Sequence, residues 1–275
     1  MKERGLALVE LLVVVAVIIV LMGLSLPVLR RVREQVRSTV CRSNQGQLMV
    51  EFLAYEATHG VLPSGLDMSR FDKPPGGTAG NLAPSPLYDP YGWWWFHSLG
   101  LPTPHPFSDQ PTLLRCPSAR LIDPGLKNNI LYGNYGVNWS LCRSPHIVAH
   151  FREFRGQPLS TSSLTRASET FLLLDSGYAL IAWYHATADP PHPWDNRAGY
   201  DASYVPGLLT NRLRALLPAQ QDDALNGRHG IQCVNAGFVD GHVEQRRAQS
   251  FDVRKTEEGY SNLQPLWTPK VTSSP

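Results

Sequence analysis

Apolar positions fall into one dense run, then a stretch with helical period, then short alternating segments separated by Pro and Gly. The run is LALVELLVVVAVIIVLMGLSLPVL, from Leu6 to Leu29, in which Glu10 is the only charge. As a helix it is roughly 36 Å long, enough to cross a hydrocarbon core of about 30 Å. Helical period continues beyond it, because Val32, Val36, Val40, Leu48, Phe52 and Tyr55 recur every three or four residues with a gap at Asn44. The pattern predicts one long helix, membrane-spanning over 6–29 and amphipathic over 30–58. A removable secretory signal is the alternative, with Gly23-Leu24-Ser25 as a small-x-small cleavage site. Two features oppose it: the period runs on past that site, and Glu10 opposes insertion by about 2.5–3.5 kcal/mol when near the bilayer centre.

The remainder reads as sheet and loop. Val234 to Val239, Asp240-Gly241 and His242-Val243-Glu244 form a hairpin pattern, with Asp-Gly suited to a two-residue turn. Thr170 to Leu174 is a buried strand, with Leu180 to Tyr184 as its expected partner and Leu208 to Leu217 as a short helix. Eleven prolines lie between Pro63 and Pro117, together with Tyr88, Tyr91, Trp93, Trp94, Trp95 and Phe96. That density excludes regular helix and interior strand over most of the stretch. Its rings either form an exposed contact surface or cover the core beneath a loop. The fold class is α+β: one long N-terminal helix packed on an antiparallel sheet, in a globular domain over 59–251 with long Pro/Gly-rich loops. The polar stretch 252–275, ending Thr-Ser-Ser-Pro, reads as a flexible tail.

Composition removes several classes. Lys plus Arg at 25 against Asp plus Glu at 23 leaves a charge of +2, without the basic bias of a nucleic-acid binder, so no nucleic-acid partner is expected. Apolar residues at 43% exclude a wholly disordered chain. Cys41, Cys116, Cys142 and Cys233 form no zinc-ribbon pattern and permit three pairings if all are oxidised. Cys41 with Cys116 is the favoured pair, which would pin the helix to the loop region; free buried thiols are the alternative. His229, Asp240 and His242, joined by Asp175, are residue types that ligate metals. His242, alternating with Val243 after a turn, is more commonly structural or exposed. No phosphate loop, His-Glu-x-x-His helix or nucleophile elbow is present, so no enzyme activity is expected.

The segment Arg4-Gly5-Leu6-Ala7-Leu8-Val9-Glu10-Leu11-Leu12-Val13-Val14 resembles the prepilin N-terminus of type IV pilins and type II secretion pseudopilins. The resemblance implies a leader over 1–5, cleavage by a prepilin peptidase after Gly5, and N-methylation of Leu6 as the new terminus. Glu10 becomes the fifth mature residue, and Pro27 falls where many pilins carry a helix-kinking proline. Leu6 departs from the Phe usual after the cut, which bears on methylation more than on cleavage. Further along, Cys41-Arg42-Ser43-Asn44, Leu114-Arg115-Cys116-Pro117-Ser118, Asn134-Tyr135-Gly136-Val137-Asn138, Thr170-Phe171-Leu172-Leu173-Leu174-Asp175 and His229 through Asp240-Gly241 resemble one branch of pilin-like proteins. That branch is named for a histidine, nine residues and Asp-Gly, and is abundant in planctomycete-type bacteria; here ten residues separate His229 from Asp240.

The implied function is that of a minor or specialised filament subunit. Its partners would be other pilin or pseudopilin subunits, a prepilin peptidase, an inner-membrane assembly platform and the membrane. A lone intramembrane carboxylate needs a partner, and the α-amine freed at Leu6 of a neighbouring subunit would be one for Glu10, setting register. The implied location is a bacterial inner membrane, crossed once, with the N-terminus cytoplasmic and the domain outside. Arg30, Arg31, Arg33, Arg37 and Arg42 after the span argue for the reverse by the positive-inside tendency. No cofactor is expected. Asp189, Asp195 and Asp201 lie in an irregular segment with oxygen ligands suited to calcium, the ion of a core pseudopilin, but without EF-hand spacing. The alternative function is a non-polymerising single-span protein whose outer domain binds a ligand or polysaccharide.

Overall fold

The computed structural model describes residues 3–70, 92–101, 112–146, 153–190, 202–230 and 232–270. Helix α1 (Glu3–His59) is continuous over 57 residues and passes through Pro27. Gly60, at φ +77°, ends it by donating its N–H to Glu56 O at 2.7 Å, a left-handed cap that closes the last turn. From Leu8 to Leu29 every side chain is exposed, so among the described residues this segment packs against no other element.

The second half is seated on the domain, but not by the face that the valines mark. Val32, Val36 and Val40 are 46%, 57% and 45% exposed. The inward row is Glu34, Ser38, Cys41, Gln45, Leu48, Met49 and Phe52, spaced at three to four residues and buried from Ser38 onward. Over 34–45 the helix therefore turns polar atoms and a thiol inward and valines outward.

Among the described residues nine short strands follow: β1 (Leu66–Asp67), β2 (Trp93–Trp94), β3 (Tyr135–Asn138), β4 (Phe171–Asp175), β5 (Leu180–Ile181), β6 (Cys233–Phe238), β7 (Val243–Arg247), β8 (Arg254–Thr256) and β9 (Gly259–Ser261). Five form the main sheet in the order β5-β3-β4-β6-β7. Its β3-β4, β4-β6 and β6-β7 pairs are antiparallel, as expected for the class. The exception is β5, which pairs with β3 in parallel and not with β4, because the chain turns back over the sheet end after Asp175. Within 208–217 the expected short helix is a five-residue 3-10 helix, Leu209–Leu213.

Strand β6 shows how the sheet accepts the helix. Val234, Ala236 and Phe238 point to the far face, into a core with Phe171, Leu174, Phe251 and Trp267. Asn235 and Gly237 point toward α1, and a Cβ on Gly237 would lie 2.7 Å from Met49 Sδ. A small residue there lets the helix approach closely. On the helix side Cys41, Leu48, Met49 and Phe52 join Tyr135, Val137, Leu173 and Trp95 in a second core. The β6-β7 connection is a three-residue loop, closed by Phe238 N–H donating to His242 O at 2.9 Å, with Gly241 at φ +95°. It replaces the expected two-residue turn.

One open reading is decided and one expectation changes. Trp93, Trp94, Trp95 and Phe96 are all buried, with Trp95 stacked on Phe52 at 5.4 Å and its Nε1 donating to Ala179 O at 3.1 Å. These rings cover the core and are not an exposed contact surface; Tyr88 and Tyr91 lie outside the described residues. The stretch from Asp252 is not a loose tail as far as Lys270, since β8 pairs with β9 and Trp267 is wholly buried, donating Nε1–H to Phe251 O at 2.9 Å.

Candidate functional site

Two regions of the chain carry chemistry that packing alone does not require. The first is the start of α1. Gly5, Leu6 and Glu10 lie within the helix, and the Glu10 side chain is exposed among apolar neighbours. The helix is long and apolar enough to cross a membrane.

The second is a buried polar cluster where α1 crosses the sheet. Cys41 comes from the inward row of α1, Cys116 from the loop after Pro111, Asp175 from the end of β4, and His229 from the turn before β6. The backbones of His229 and Cys233 exchange hydrogen bonds at 3.3 and 3.0 Å, closing that turn and fixing the imidazole inward. Asp175 is the hub. Its Oδ1 accepts from Gln45 Nε2 at 3.1 Å and from the Cys41 thiol at 3.3 Å; its Oδ2 accepts from Asn235 N–H at 2.7 Å. His229 Nε2 lies 3.1 Å from Asp175 Oδ2 and 3.6 Å from Cys116 Sγ. On its other side Nδ1 lies 3.3 Å from Glu34 Oε1, close enough to attract but outside hydrogen-bond geometry. The Tyr135 hydroxyl donates to Arg115 O at 3.2 Å and stands 3.5 Å from Cys41 Sγ. The four ligating atoms of Cys41, Cys116, Asp175 and His229 lie within 4.8 Å of one another.

Electrostatics follow from this crowding. Burial alone would raise the Asp175 carboxyl, but the His229 imidazolium and the bond it donates, with Arg228 and the Asn235 N–H, hold it below the ordinary carboxylate range. For His229, burial opposes the charged ring, yet Asp175 and then Cys116 outweigh it and push the imidazole up to about 10. The thiols diverge. Cys41 is pushed up by burial, by Cys116 and by Asp175. Cys116, although burial opposes its thiolate, is drawn down by the bond from Cys41 and by His229 and Arg228.

Beside this cluster, Arg228 forms a buried ion pair with Asp223, Nε to Oδ1 at 2.9 Å and Nη2 to Oδ2 at 2.7 Å. The same guanidinium donates to Asn134 O at 2.7 Å and Ser176 O at 2.8 Å, while Asp223 also accepts from Tyr204 OH and Arg120 N–H. Consecutive residues Arg228 and His229 thus each meet a buried carboxylate.

The residues singled out in the sequence are regrouped. Cys41 and Cys116 do meet, but without a disulfide and in company with His229 and Asp175; Cys142 and Cys233 form no disulfide either. Asp240, Gly241 and His242 take no part in the cluster. They lie on the β6-β7 loop, where the side chains of His242 and Asp240 pair at the surface. Of the calcium candidates, Asp195 and Asp201 lie outside the described residues, and Asp189 contributes its carbonyl to Tyr260 OH at 2.8 Å. Glu34, Gln45, Asn235, Asp223 and Arg228 give no sequence signal, since they come from α1, β6, the short helix Gln221–Asn226 and the turn after it and share no motif. One signal was present: Cys41, Cys116, Asp175 and the neighbourhood of His229 lie in separate blocks of the same resemblance, and those blocks converge in space. No family model, characterised protein or solved structure matches the chain.

Proposed function

We propose that this chain is a pilin-like subunit, inserted in a membrane through the first half of α1, cleaved after Gly5 by a prepilin peptidase and assembled into a pilus or pseudopilus. The observation that carries this reading is the division of α1. One half is wholly exposed and apolar, the other is fastened to a folded domain, and Val32, Val36 and Val40 extend the outward apolar surface beyond the span. A plain anchor needs an apolar segment, but it has no use for a valine row continuing along a rigid helix outside the bilayer. In a bundle of such helices the row would be buried against neighbours. The sheet domain would then face outward, with Glu10 meeting the freed amine of an adjacent subunit.

Glu10→Ala separates this reading from a non-polymerising single-span protein. Expected is normal membrane insertion with loss of incorporation into sheared or cross-linked filaments when co-expressed with a pilus assembly system. Incorporation equal to wild type would contradict the reading.

A further inference from the structure

The buried cluster is built like a closed metal site. A tetrahedral zinc ion bound at about 2.3 Å to sulfur and about 2.0–2.2 Å to nitrogen and oxygen sets its ligands roughly 3.3–3.8 Å apart. Three edges of the cluster are 3.6 Å from Cys116 Sγ to His229 Nε2, 3.3 Å from Cys41 Sγ to Asp175 Oδ1, and 3.1 Å from His229 Nε2 to Asp175 Oδ2. Cys116 Sγ and Asp175 Oδ2 thus stand about His229 Nε2 at separations close to those of such a tetrahedron, while Cys41 meets the other carboxylate oxygen; with all four ligand atoms within 4.8 Å of one another, small side-chain shifts bring them onto one ion. All four side chains are buried, so no coordination position opens to solvent. The surrounding contacts are those that hold ligands in place: Gln45 and the Asn235 N–H on the Asp175 oxygens, and Glu34 facing the remote nitrogen of His229. That nitrogen makes no hydrogen bond in the present geometry. A neutral imidazole ligating through Nε2 must carry its proton there, directed at the Glu34 carboxylate.

We propose that Cys41, Cys116, Asp175 and His229 bind one zinc ion that clamps helix α1 to the sheet domain. Binding releases to water the protons held on the sulfurs and the Nε2 proton of the His229 imidazolium, leaving both sulfurs as thiolates on the metal, Asp175 as carboxylate and His229 neutral with its proton on Nδ1. Two thiolates select a soft or borderline metal, the histidine and carboxylate suit zinc among these, and four protein ligands make the site structural rather than catalytic. The four ligands come from segments far apart in sequence, so the ion would join the helix, the loop after Pro111, β4 and the turn before β6 at one point. The site goes beyond the filament reading and stands or falls independently of it.

The test is metal analysis of the full-length protein, purified in detergent without chelators. Expected is about one zinc per chain, lost at least tenfold in Cys116→Ser and His229→Gln but kept in Cys142→Ser. Exchange of the wild-type ion for cobalt(II) should give thiolate-to-metal charge transfer and the intense visible bands of tetrahedral coordination, a readout that needs no variant to fold. Glu34→Gln should weaken zinc roughly tenfold in chelator competition. Wild-type protein free of zinc, a Cys41–Cys116 disulfide found by peptide mass spectrometry, or zinc retained by the Cys116→Ser/His229→Gln double variant would each overturn the proposal.

Discussion

Arg228 has no solvent exposure and spends its guanidinium on Asp223, Asn134 O and Ser176 O. A buried charge is tolerable only with its donors matched, and removing one partner leaves the other charge stranded. Arg228→Met should therefore cost about 3–5 kcal/mol, seen as a lower urea midpoint at unchanged slope, and Asp223→Leu in the same chain should recover part of it. A single variant as stable as wild type would contradict this account of the pair. Burial acts alone on His97, pushing its imidazole down to about 4, while Nδ1 accepts the Trp94 N–H at 3.2 Å. The folded state thus resists a proton that the unfolded chain accepts. The stability this represents is complete above about pH 6.5 and drains as pH falls toward about 4, by up to about 3 kcal/mol. His97→Gln should remove that part of the acid dependence of the melting temperature, and an unchanged profile would refute it. His185 repeats the arrangement, its Nδ1 accepting the Ala182 N–H at 2.9 Å, and is shifted in the same direction. Neither site is legible in the sequence, where a His after two aromatic residues looks like any other. Asp175 and His229 were legible as ligand types, but Asp240 and His242 were grouped with them because they lie close in sequence; the partners in space are the two cysteines.

At the scale of elements, the strands were legible because their alternation is physical. In β6, Val234, Ala236 and Phe238 fill one core while Asn235 and Gly237 leave room for α1. The β5 pairing was not legible, because a two-residue strand carries no period and its parallel register is set by the turn after Asp175. Helix α1 is the instructive case. Its extent was plain from the apolar run and the period beyond it, but that period did not separate the faces: Leu48 and Phe52 are buried against the domain while Val32, Val36 and Val40 stay exposed. Here the buried side over 34–45 is polar because the cluster lies beneath it, and the valines are left outside. Val36→Asp should then change unfolding stability by no more than about 0.5 kcal/mol, while reducing filament incorporation of the full-length chain. A large loss of stability would show that the valine row packs within the subunit after all.

At the scale of the molecule, one sheet separates two cores, and α1 closes the nearer of them with its second half while its first half projects free. The buried polar cluster, the Trp95 stack on Phe52 and the close contact of Met49 on Gly237 all hold that second half to the domain. The sequence marked a helix long and apolar enough to cross a membrane, but how firmly its second half is held emerges only from contacts between segments more than a hundred residues apart. The central claim is that the span is a processed assembly helix and not a permanent anchor. It is tested most directly by intact and N-terminal peptide mass spectrometry of the protein co-expressed with a prepilin peptidase, wild type beside Gly5→Ala. The account predicts a chain beginning at Leu6 in wild type and an unprocessed chain in the variant. A wild-type chain that keeps Met1 to Gly5 in the presence of active peptidase would contradict it.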